Sequence, residues 1–267
     1  MTIRASVAGP IVPPLVAPLG GSALPWESGG GGVPWTPAAL GSKLKLWLDQ
    51  RDQVVTGAGV SDWGDQSPTG TQDWAQTIDA NRPATGRTIN SYAAPDFDGT
   101  SDSMTGPAKS AMISAAAYWI AGVVVLDAVA STSSSYHLDE SIISDTGQYI
   151  WNSFRNNVGV YTMAAGHSDG TAKTTPTQSI TLGTPFLFEH WYDGTNINLR
   201  VGSAAATQIA AGSVGSLVAT TRLGADNDAS NLINGAIGAL LICNATLTAV
   251  EQAAARSYLA AKYGVVG

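Results

Sequence analysis

The strongest pattern of hydrophobic and polar positions lies between residues 235 and 264. Apolar residues occupy both alternating faces of the run 235–243, and a strand with two apolar faces must be covered on both sides. Further along, Thr248 and Glu251 have the spacing of a capping box, which marks the start of a helix. Gly264 is suited to end that helix. The pattern therefore predicts a buried strand followed by a helix over 249–263.

The predicted helix is rich in alanine, and one of its faces collects mostly small side chains. Such a face can lie close against a sheet, and Leu259 falls on the opposite side. We expect the helix to pack on the rest of the domain through these small residues and their neighbours: Val250, Ala253, Ala254, Ser257, Tyr258 and Ala261.

Shorter apolar runs predict the remaining strands. Alternation over 44–48 indicates a strand with one buried face, and the run 118–126 is apolar on both faces. Two hairpins are predicted, with strands at 149–154 and 158–163 around a turn at 155–157, and strands at 186–192 and 197–201 around a turn at 193–196. Strands of this length beside a single clear helix predict an antiparallel sandwich of two sheets.

The first 36 residues differ from the rest in composition. They contain six prolines and four consecutive glycines, so neither a helix nor a central strand can persist there. We expect an extended arm over residues 1–36 and a single domain over 37–267. A secretory signal is the alternative, since Arg4 precedes an apolar stretch over 7–19, although prolines interrupt that stretch. No run of 18 apolar residues is present, so no membrane span is expected.

Composition and charge narrow the class of protein. Of 267 residues, 44% are hydrophobic and only 12% are charged, which predicts a sizeable core. A net charge of −7 argues against nucleic acid as a partner, because proteins that track phosphates carry clustered Lys and Arg. The single cysteine, Cys243, cannot form an intramolecular disulfide and is expected to be a small core residue.

Three segments resemble the concanavalin A-like, laminin G-like jelly-roll domains. They read LKLWLD followed by VSDWGDQS, PDFDGTSDSMTG, and INGAIGALLICNATLTAVEQAAARSYLAAKYG. Together they extend from Leu44 to Gly264, in the order found in that family. The resemblance implies a jelly-roll sandwich over 37–267, but the functions in this family are too varied to follow from the fold.

The chain matches one catalytic motif in its sequence of letters, but the structural context that the motif needs is not predicted. Residues 166–170 read G-x-S-x-G around Ser168, but that motif acts at a turn into a helix, and the residues after it predict none. Laminarinase-type hydrolases with similar sandwiches use E-x-D-x-E on one strand, and no two glutamates of this chain have that spacing: Glu27, Glu140, Glu189 and Glu251. The scattered histidines, His137, His167 and His190, are expected to be packed rather than metal-bound. These observations predict that the chain is not an enzyme.

Two kinds of binding site are considered. Oxygen ligands at Asp226, Asn227 and Asp228 could hold calcium at an edge of the sandwich, and Asp96, Asp98 and Asp102 form a second acidic group. Turn chemistry also explains both groups without a metal, and no other cofactor is expected. Among the tryptophans, Trp119 and Trp151 lie on apolar strands, whereas Trp63 and Trp74 lie in a long loop and could stack on a sugar.

The resemblance and the arm together suggest a non-enzymatic structural or decoration protein of a large assembly, with a bacteriophage virion surface as the leading expectation. It would be a homo-oligomer, held to other virion proteins by apolar anchors in the arm. The expected anchors are Ile11, Val12, Leu15, Val16, Leu19, Trp26 and Trp35. One alternative is a carbohydrate-binding adhesin module, secreted or at the cell surface, that recognises a host glycan. A secreted glycoside hydrolase is the other.

Overall fold

The computed structural model describes residues 34–129, 135–136, 138–140, 150–168, 171–215, 217, 220–225 and 232–267. Residues 36–267 form one compact unit. Six of the seven expected anchors, Ile11, Val12, Leu15, Val16, Leu19 and Trp26, lie outside the described residues, and Trp35 is half-buried. Among the described residues, no helix is long and apolar enough to cross a membrane.

Short strands are the main regular structure of the described chain. They are β1 (Leu44–Leu48), β2 (Gln53–Thr56), β3 (Gly59–Trp63), β4 (Trp74–Ala75), β5 (Thr88–Ile89), β6 (Tyr92–Ala93), β7 (Asp96–Asp98), β8 (Met104–Ala108), β9 (Tyr118–Ala128), β10 (Ser135–Tyr136), β11 (Leu138–Glu140), β12 (Ile150–Asn157), β13 (Val160–Ser168), β14 (Ala172–Thr174), β15 (Gln178–Ser179), β16 (Phe186–Tyr192), β17 (Asn196–Val201), β18 (Thr207–Ala210), β19 (Thr220–Leu223) and β20 (Asn234–Cys243). Short 3₁₀ helices cover Pro37–Lys43, Asp79–Asn81 and Lys109–Ala111, and one α-helix, α1, covers Ala249–Tyr263.

The strands form an antiparallel sandwich, which confirms the predicted fold class. One layer is a seven-stranded sheet in the order β1-β20-β9-β16-β17-β18, with β7 also paired to β20. A five-stranded sheet has the order β10-β12-β13-β14, with β15 on β13, and a six-stranded sheet has the order β11-β19-β8-β4-β3-β2. Side chains from these three sheets contribute to one buried apolar core, and β5 and β6 form a separate two-stranded sheet. The central strands β9 and β20 are buried on both faces, as their apolar runs predict.

The C-terminal strand and helix follow the sequence pattern closely. Thr248 Oγ1 accepts a hydrogen bond from the Glu251 N–H (3.2 Å), and Glu251 Oε2 accepts one from the Thr248 N–H (2.8 Å), which is the predicted capping box. Gly264 ends α1 in the left-handed conformation, with φ 65°. Cys243 is buried, as expected, and burial raises the pKa of its thiol to about 12.

The predicted packing face of α1 is wrong. Leu259 is fully buried, together with Ala255 and Tyr263, whereas Val250 is 79% exposed. The reason is a gap in the sheet at Gly238, which has no side chain. The Tyr263 ring lies over this glycine, and its hydroxyl donates to the Gly238 carbonyl oxygen (2.7 Å). This contact turns the larger side chains of the helix towards the sheet.

The first predicted hairpin has its turn three residues further along than expected. β12 continues to Asn157, which pairs with Val160, so Val158 and Gly159 form the turn instead of residues 155–157. Both turn residues have positive φ (52° and 84°), which is the geometry of a tight two-residue hairpin turn, and Gly159 adopts it without steric cost. The second hairpin is confirmed, with its turn between Tyr192 and Asn196.

Candidate functional site

A groove of about 470 Å³ opens beside the β12–β13 hairpin. Tyr161 and Leu182 in its wall are half-buried and pack against the core of the sandwich, so the groove lies where that core reaches the surface. The lining residues are Gly159, Val160, Tyr161, Ser179, Ile180, Thr181 and Leu182.

Two distant segments of the chain build the groove. Residues 179–182 begin with the last residue of β15, which pairs with β13, and the Ile180 N–H donates to the Tyr161 carbonyl oxygen (3.0 Å). At the other end, the Gly183 N–H donates to the Leu126 carbonyl oxygen on β9 (2.7 Å). The wall formed by 179–182 is therefore tied by backbone hydrogen bonds to both layers of the sandwich.

Gln178 fixes the start of this wall. Its buried amide donates to the carbonyl oxygens of Leu199 and Ala205, both at 2.9 Å, and its Oε1 accepts from the Val201 N–H at 2.7 Å. A buried amide that uses both donors and an acceptor is held in one orientation. The position of Ser179, which follows it, is consequently set by β17 and the loop after it.

The lining of the groove is neutral and amphipathic. None of the seven lining residues is charged. Tyr161, Ile180 and Leu182 are its larger apolar residues, while Ser179 and Thr181 carry hydroxyl groups, which can both donate and accept hydrogen bonds. This combination suits an uncharged ligand that has apolar patches and hydroxyl groups.

The prediction that Trp63 and Trp74 stack on a sugar is corrected by the structure. Both side chains are fully buried, and stacking on a ligand needs an exposed ring face. Trp63 lies on β3, where its Nε1 donates to the Asp49 carbonyl oxygen (2.6 Å). Trp74 lies against Gly106, where an added Cβ would come within 2.6 Å of the ring. The loop containing them contributes strands to the six-stranded sheet, and both side chains belong to the buried apolar core.

The calcium prediction is not tested, because Asp226, Asn227 and Asp228 lie outside the described residues. Where the structure does describe the chain, no group of three or more His, Cys, Asp and Glu side chains is placed to hold a metal. The other acidic group shows turn chemistry. Asp98 Oδ1 accepts from the backbone N–H groups of Thr100, Ser101 and Asp102, at 2.8–3.1 Å.

The turn shifts the pKa values of two neighbouring carboxyl groups, Asp98 and Asp102, in opposite directions. Burial alone would raise the pKa of Asp98, but hydrogen bonds from Thr100, Ser101 and Asp102 outweigh it and hold the pKa well below its ordinary value. For Asp102, burial and the nearby negative charge of Asp98 raise the pKa to about 6. The Asp102 carboxyl accepts from the Asp98 N–H at 3.1 Å.

We expect Asp102→Asn to raise the free energy of unfolding relative to wild type more at pH 7 than at pH 4. A carboxyl whose folded pKa (about 6) exceeds its unfolded value (3.8) contributes stability below the unfolded pKa, and this is lost as the pH rises through the folded pKa. The asparagine retains an acceptor for the Asp98 N–H without the ionisation. The difference in free energy of unfolding between variant and wild type should shift by about 1–3 kcal/mol between the two pH values.

Urea denaturation at both pH values measures this shift. The control is Asp62→Asn, which makes the same change of charge on an exposed side chain. Parallel pH profiles for Asp102→Asn and wild type would contradict the assignment of the raised pKa to Asp102.

Two other carboxylates are buried beneath α1. Glu189 Oε1 accepts from Trp119 Nε1 (3.1 Å), and its Oε2 accepts from Arg200 on β17 and from Arg256 on α1, both at 3.0 Å. Asp49 is bound by Arg51 and by Lys262 of α1. Burial would raise the pKa of Asp49, but the hydrogen bonds from Arg51 and Lys262 lower it overall. The two carboxylates thus bind the middle of the helix, at Arg256, and its C-terminal end, at Lys262.

His167 and His190 are fully buried, as expected for packed histidines. Both contact the Tyr118 hydroxyl, His167 through Nδ1 (3.0 Å) and His190 through Nε2 (2.8 Å). His167 Nε2 lies 2.8 Å from the Gly212 carbonyl oxygen, and a carbonyl only accepts, so Nε2 carries a proton. A neutral His167 then accepts from the tyrosine hydroxyl. These three side chains form a polar cluster between the layers.

Ser168 lies at the end of β13, and no described helix begins there.

Comparisons with known proteins show the fold. No protein-family model matches the chain, and no curated protein matches it at a significant level. Among solved structures, a Trypanosoma rangeli sialidase in complex with 2,3-difluorosialic acid has a TM-score of 0.56 at 12% identity, covering 84% of this chain and 34% of the sialidase. An arabinofuranosidase complexed with arabinofuranosyl-α-1,2-xylobiose has a TM-score of 0.57 at 11% identity, covering 85% and 60%.

A third similar structure is the binding domain of Paraclostridial Mosquitocidal Protein 1, with a TM-score of 0.58 at 9% identity, covering 81% of this chain and 52% of that one. At these identities the likeness establishes a related all-β sandwich and not an activity. The chain spans only about a third of the sialidase and three fifths of the arabinofuranosidase.

These neighbours contradict two expectations from the sequence. The predicted virion decoration protein has no support among them, and the prediction that the chain is not an enzyme is contradicted by the same comparison, because the sialidase and the arabinofuranosidase that share the fold are glycoside hydrolases. They agree better with the alternatives that involve carbohydrate. The three segments that resemble jelly-roll domains form strands of the sandwich and its helix. They therefore carry information about the fold rather than the role.

Proposed function

We propose that this chain is a carbohydrate-recognising sandwich domain of a carbohydrate-active protein, and that the groove beside the β12–β13 hairpin binds the sugar. The observation that carries the proposal is the lining of the groove. A sugar presents C–H patches together with hydroxyl groups, and the groove offers the Tyr161 ring beside Ser179 and Thr181. The solved structures with the same fold, which include proteins complexed with sugars, support this class of ligand.

The chemistry of the lining favours a neutral sugar over an acidic one. A sialic acid carries a carboxylate, which proteins commonly recognise with an arginine or another positively charged donor. No lining residue is positively charged. The proposed ligand is therefore a neutral saccharide, such as one built from pentoses or neutral hexoses.

We expect Tyr161→Ala to weaken binding of a neutral oligosaccharide by about tenfold or more, because Tyr161 is the one aromatic residue among those that line the groove. Isothermal titration with arabino-oligosaccharides, xylo-oligosaccharides and sialyllactose measures both the ligand class and the effect. The matched control is Tyr92→Ala, which removes a half-buried tyrosine that packs on Tyr263 and does not line the groove. Wild-type protein that binds none of these sugars, or binds only sialyllactose, would contradict the proposal.

Hydrolysis by the chain itself is the second candidate. Asp98 and Asp102 lie in one turn, where the Asp102 carboxyl accepts from the Asp98 N–H at 3.1 Å. Their pKa values are displaced in opposite directions, and a glycosidase needs such a difference between an ionised carboxylate and a protonated acid. Release of nitrophenol from aryl arabinofuranosides and aryl hexosides tests this candidate. Activity that is lost in both Asp98→Asn and Asp102→Asn would support it, and activity that both variants retain would exclude this pair.

A further inference from the structure

Val158 has a backbone conformation that its side chain disfavours. It occupies the first position of the β12–β13 turn with φ 52°, and both positions of such a turn require positive φ. Asparagine, aspartate and glycine are suited to this region, whereas a β-branched residue there is a genuine outlier. Asn156 Oδ1 accepts from the Gly159 N–H (2.8 Å) and fixes the turn in this form.

No burial of the valine offsets this strain. Val158 is 98% exposed, and Val160 on the other side of the turn is 56% exposed. An exposed apolar side chain gains no hydrophobic stabilisation within the chain. A left-handed, fully exposed valine therefore weakens the folded state, and strain of this kind is concentrated at binding sites, where a ligand makes use of the side chain.

The valine turn stands directly beside the groove. Gly159 and Val160 both line the groove, so Val158 is next in the chain to its rim. The turn adds apolar surface outside the groove. Among the lining residues and the two residues of the turn, none carries a charge. The ligand class proposed for the groove therefore also suits the turn.

Resting on the proposed function, we propose that Val158 forms a second subsite, which packs against the C–H face of a sugar unit adjoining the one in the groove. The site then distinguishes oligosaccharides from monosaccharides. A monosaccharide fills the groove alone, whereas a longer chain also reaches the turn. Val158 is a specificity-determining residue for chain length.

The test compares wild type with Val158→Asn, using a neutral monosaccharide and its tri- or tetrasaccharide as probes. Asparagine adopts positive φ more readily, so the variant is expected to melt about 1–3 °C higher than wild type. Its affinity for the oligosaccharide should fall by about tenfold, the loss of one valine contact, while its affinity for the monosaccharide stays unchanged. The stability readout shows that the loss of affinity does not come from unfolding.

Val266→Asn is the matched control, because it removes another exposed valine outside the groove and the turn; its affinities should equal those of wild type. If Val158→Asn binds the oligosaccharide as tightly as wild type does, the second subsite is overturned while the groove stands. If wild type binds no neutral sugar, the proposed function fails and the subsite fails with it. If Val158→Asn and Tyr161→Ala weaken the monosaccharide equally, Val158 belongs to the first subsite and the inference is wrong.

Discussion

Replacing Glu189 by alanine is expected to lower the free energy of unfolding by about 3–5 kcal/mol. The carboxylate is fully buried and serves three donors, Trp119 Nε1, Arg200 and Arg256. Its loss leaves two guanidinium groups, each less than a quarter exposed, facing each other without a counter-charge. Removing one partner from a buried ion pair is far more costly than removing an exposed one, because the remaining charge stays desolvated.

Chemical denaturation of three proteins tests this expectation. Glu189→Gln retains an acceptor for the Trp119 indole but not the charge, so it should lose less than the alanine variant. Lys43→Met is the control for an ion pair at the surface, since Lys43 and Glu251 are both more than a quarter exposed, and it should cost less than about 1 kcal/mol. A loss in Glu189→Ala no larger than that of Lys43→Met would show that the buried cluster does not hold α1 to the sheet.

Replacing Gly235 by alanine is expected to cost about 3–5 kcal/mol, through backbone strain and overpacking together. Gly235 lies at a register shift between β20 and β9, with φ 147°. A Cβ at this position would lie 2.1 Å from the Val125 carbonyl oxygen and 2.8 Å from the Leu126 Cα. Both atoms belong to the backbone of the central strand, so neither can move aside without breaking the pairing.

Gly183→Ala separates the two causes. Gly183 also has positive φ (70°), but a Cβ there would meet nothing within 4 Å, so its cost should be about 1–2 kcal/mol from conformation alone. Thermal and urea unfolding of both variants measures the difference. Equal losses would mean that the close approach of β9 contributes nothing and that the expected overpacking is absent.

The parts of the fold that the sequence predicts well depend on local interactions. The bounds of α1 agree with the structure because the bonds that start the helix join Thr248 and Glu251, three residues apart. The turn after Tyr192 agrees because Asp193 Oδ1 accepts from the N–H groups of Thr195 and Asn196. In both cases the residues that determine the structure are neighbours in the chain.

The parts that the sequence predicts poorly depend on distant partners. The turn at Val158 is set by the register between β12 and β13, which pairs Asn157 with Val160 against the preference of a valine. Leu259 is buried because Tyr263 meets the gap at Gly238, a residue on another element. Burial of Trp63 likewise depends on strands that its own segment does not reveal.

The groove could not have been found from local sequence for the same reason. Its two walls are separated in the chain, and the second is fixed by Gln178, whose partners are Leu199, Val201 and Ala205. The sequence offered one feature that bears on the groove, which is Tyr161 on a strand beside a predicted turn. That feature identified Tyr161 as part of a hairpin, but not as one wall of a ligand site.

The order of strands in the seven-stranded sheet has a consequence for synthesis on the ribosome. β20 lies between β1 and β9, so β1, among the first described strands to be made, has its sheet partner among the last. During translation, the edge of β9 that pairs with β20 stays open. The apolar residues of β1 also stay unpaired until β20 has been made. Exposed strand edges of this kind are prone to aggregation and slow to close. Nascent chains halted before residue 234 should therefore depend on chaperones, and release of the last described strand and helix should coincide with the gain of protease resistance.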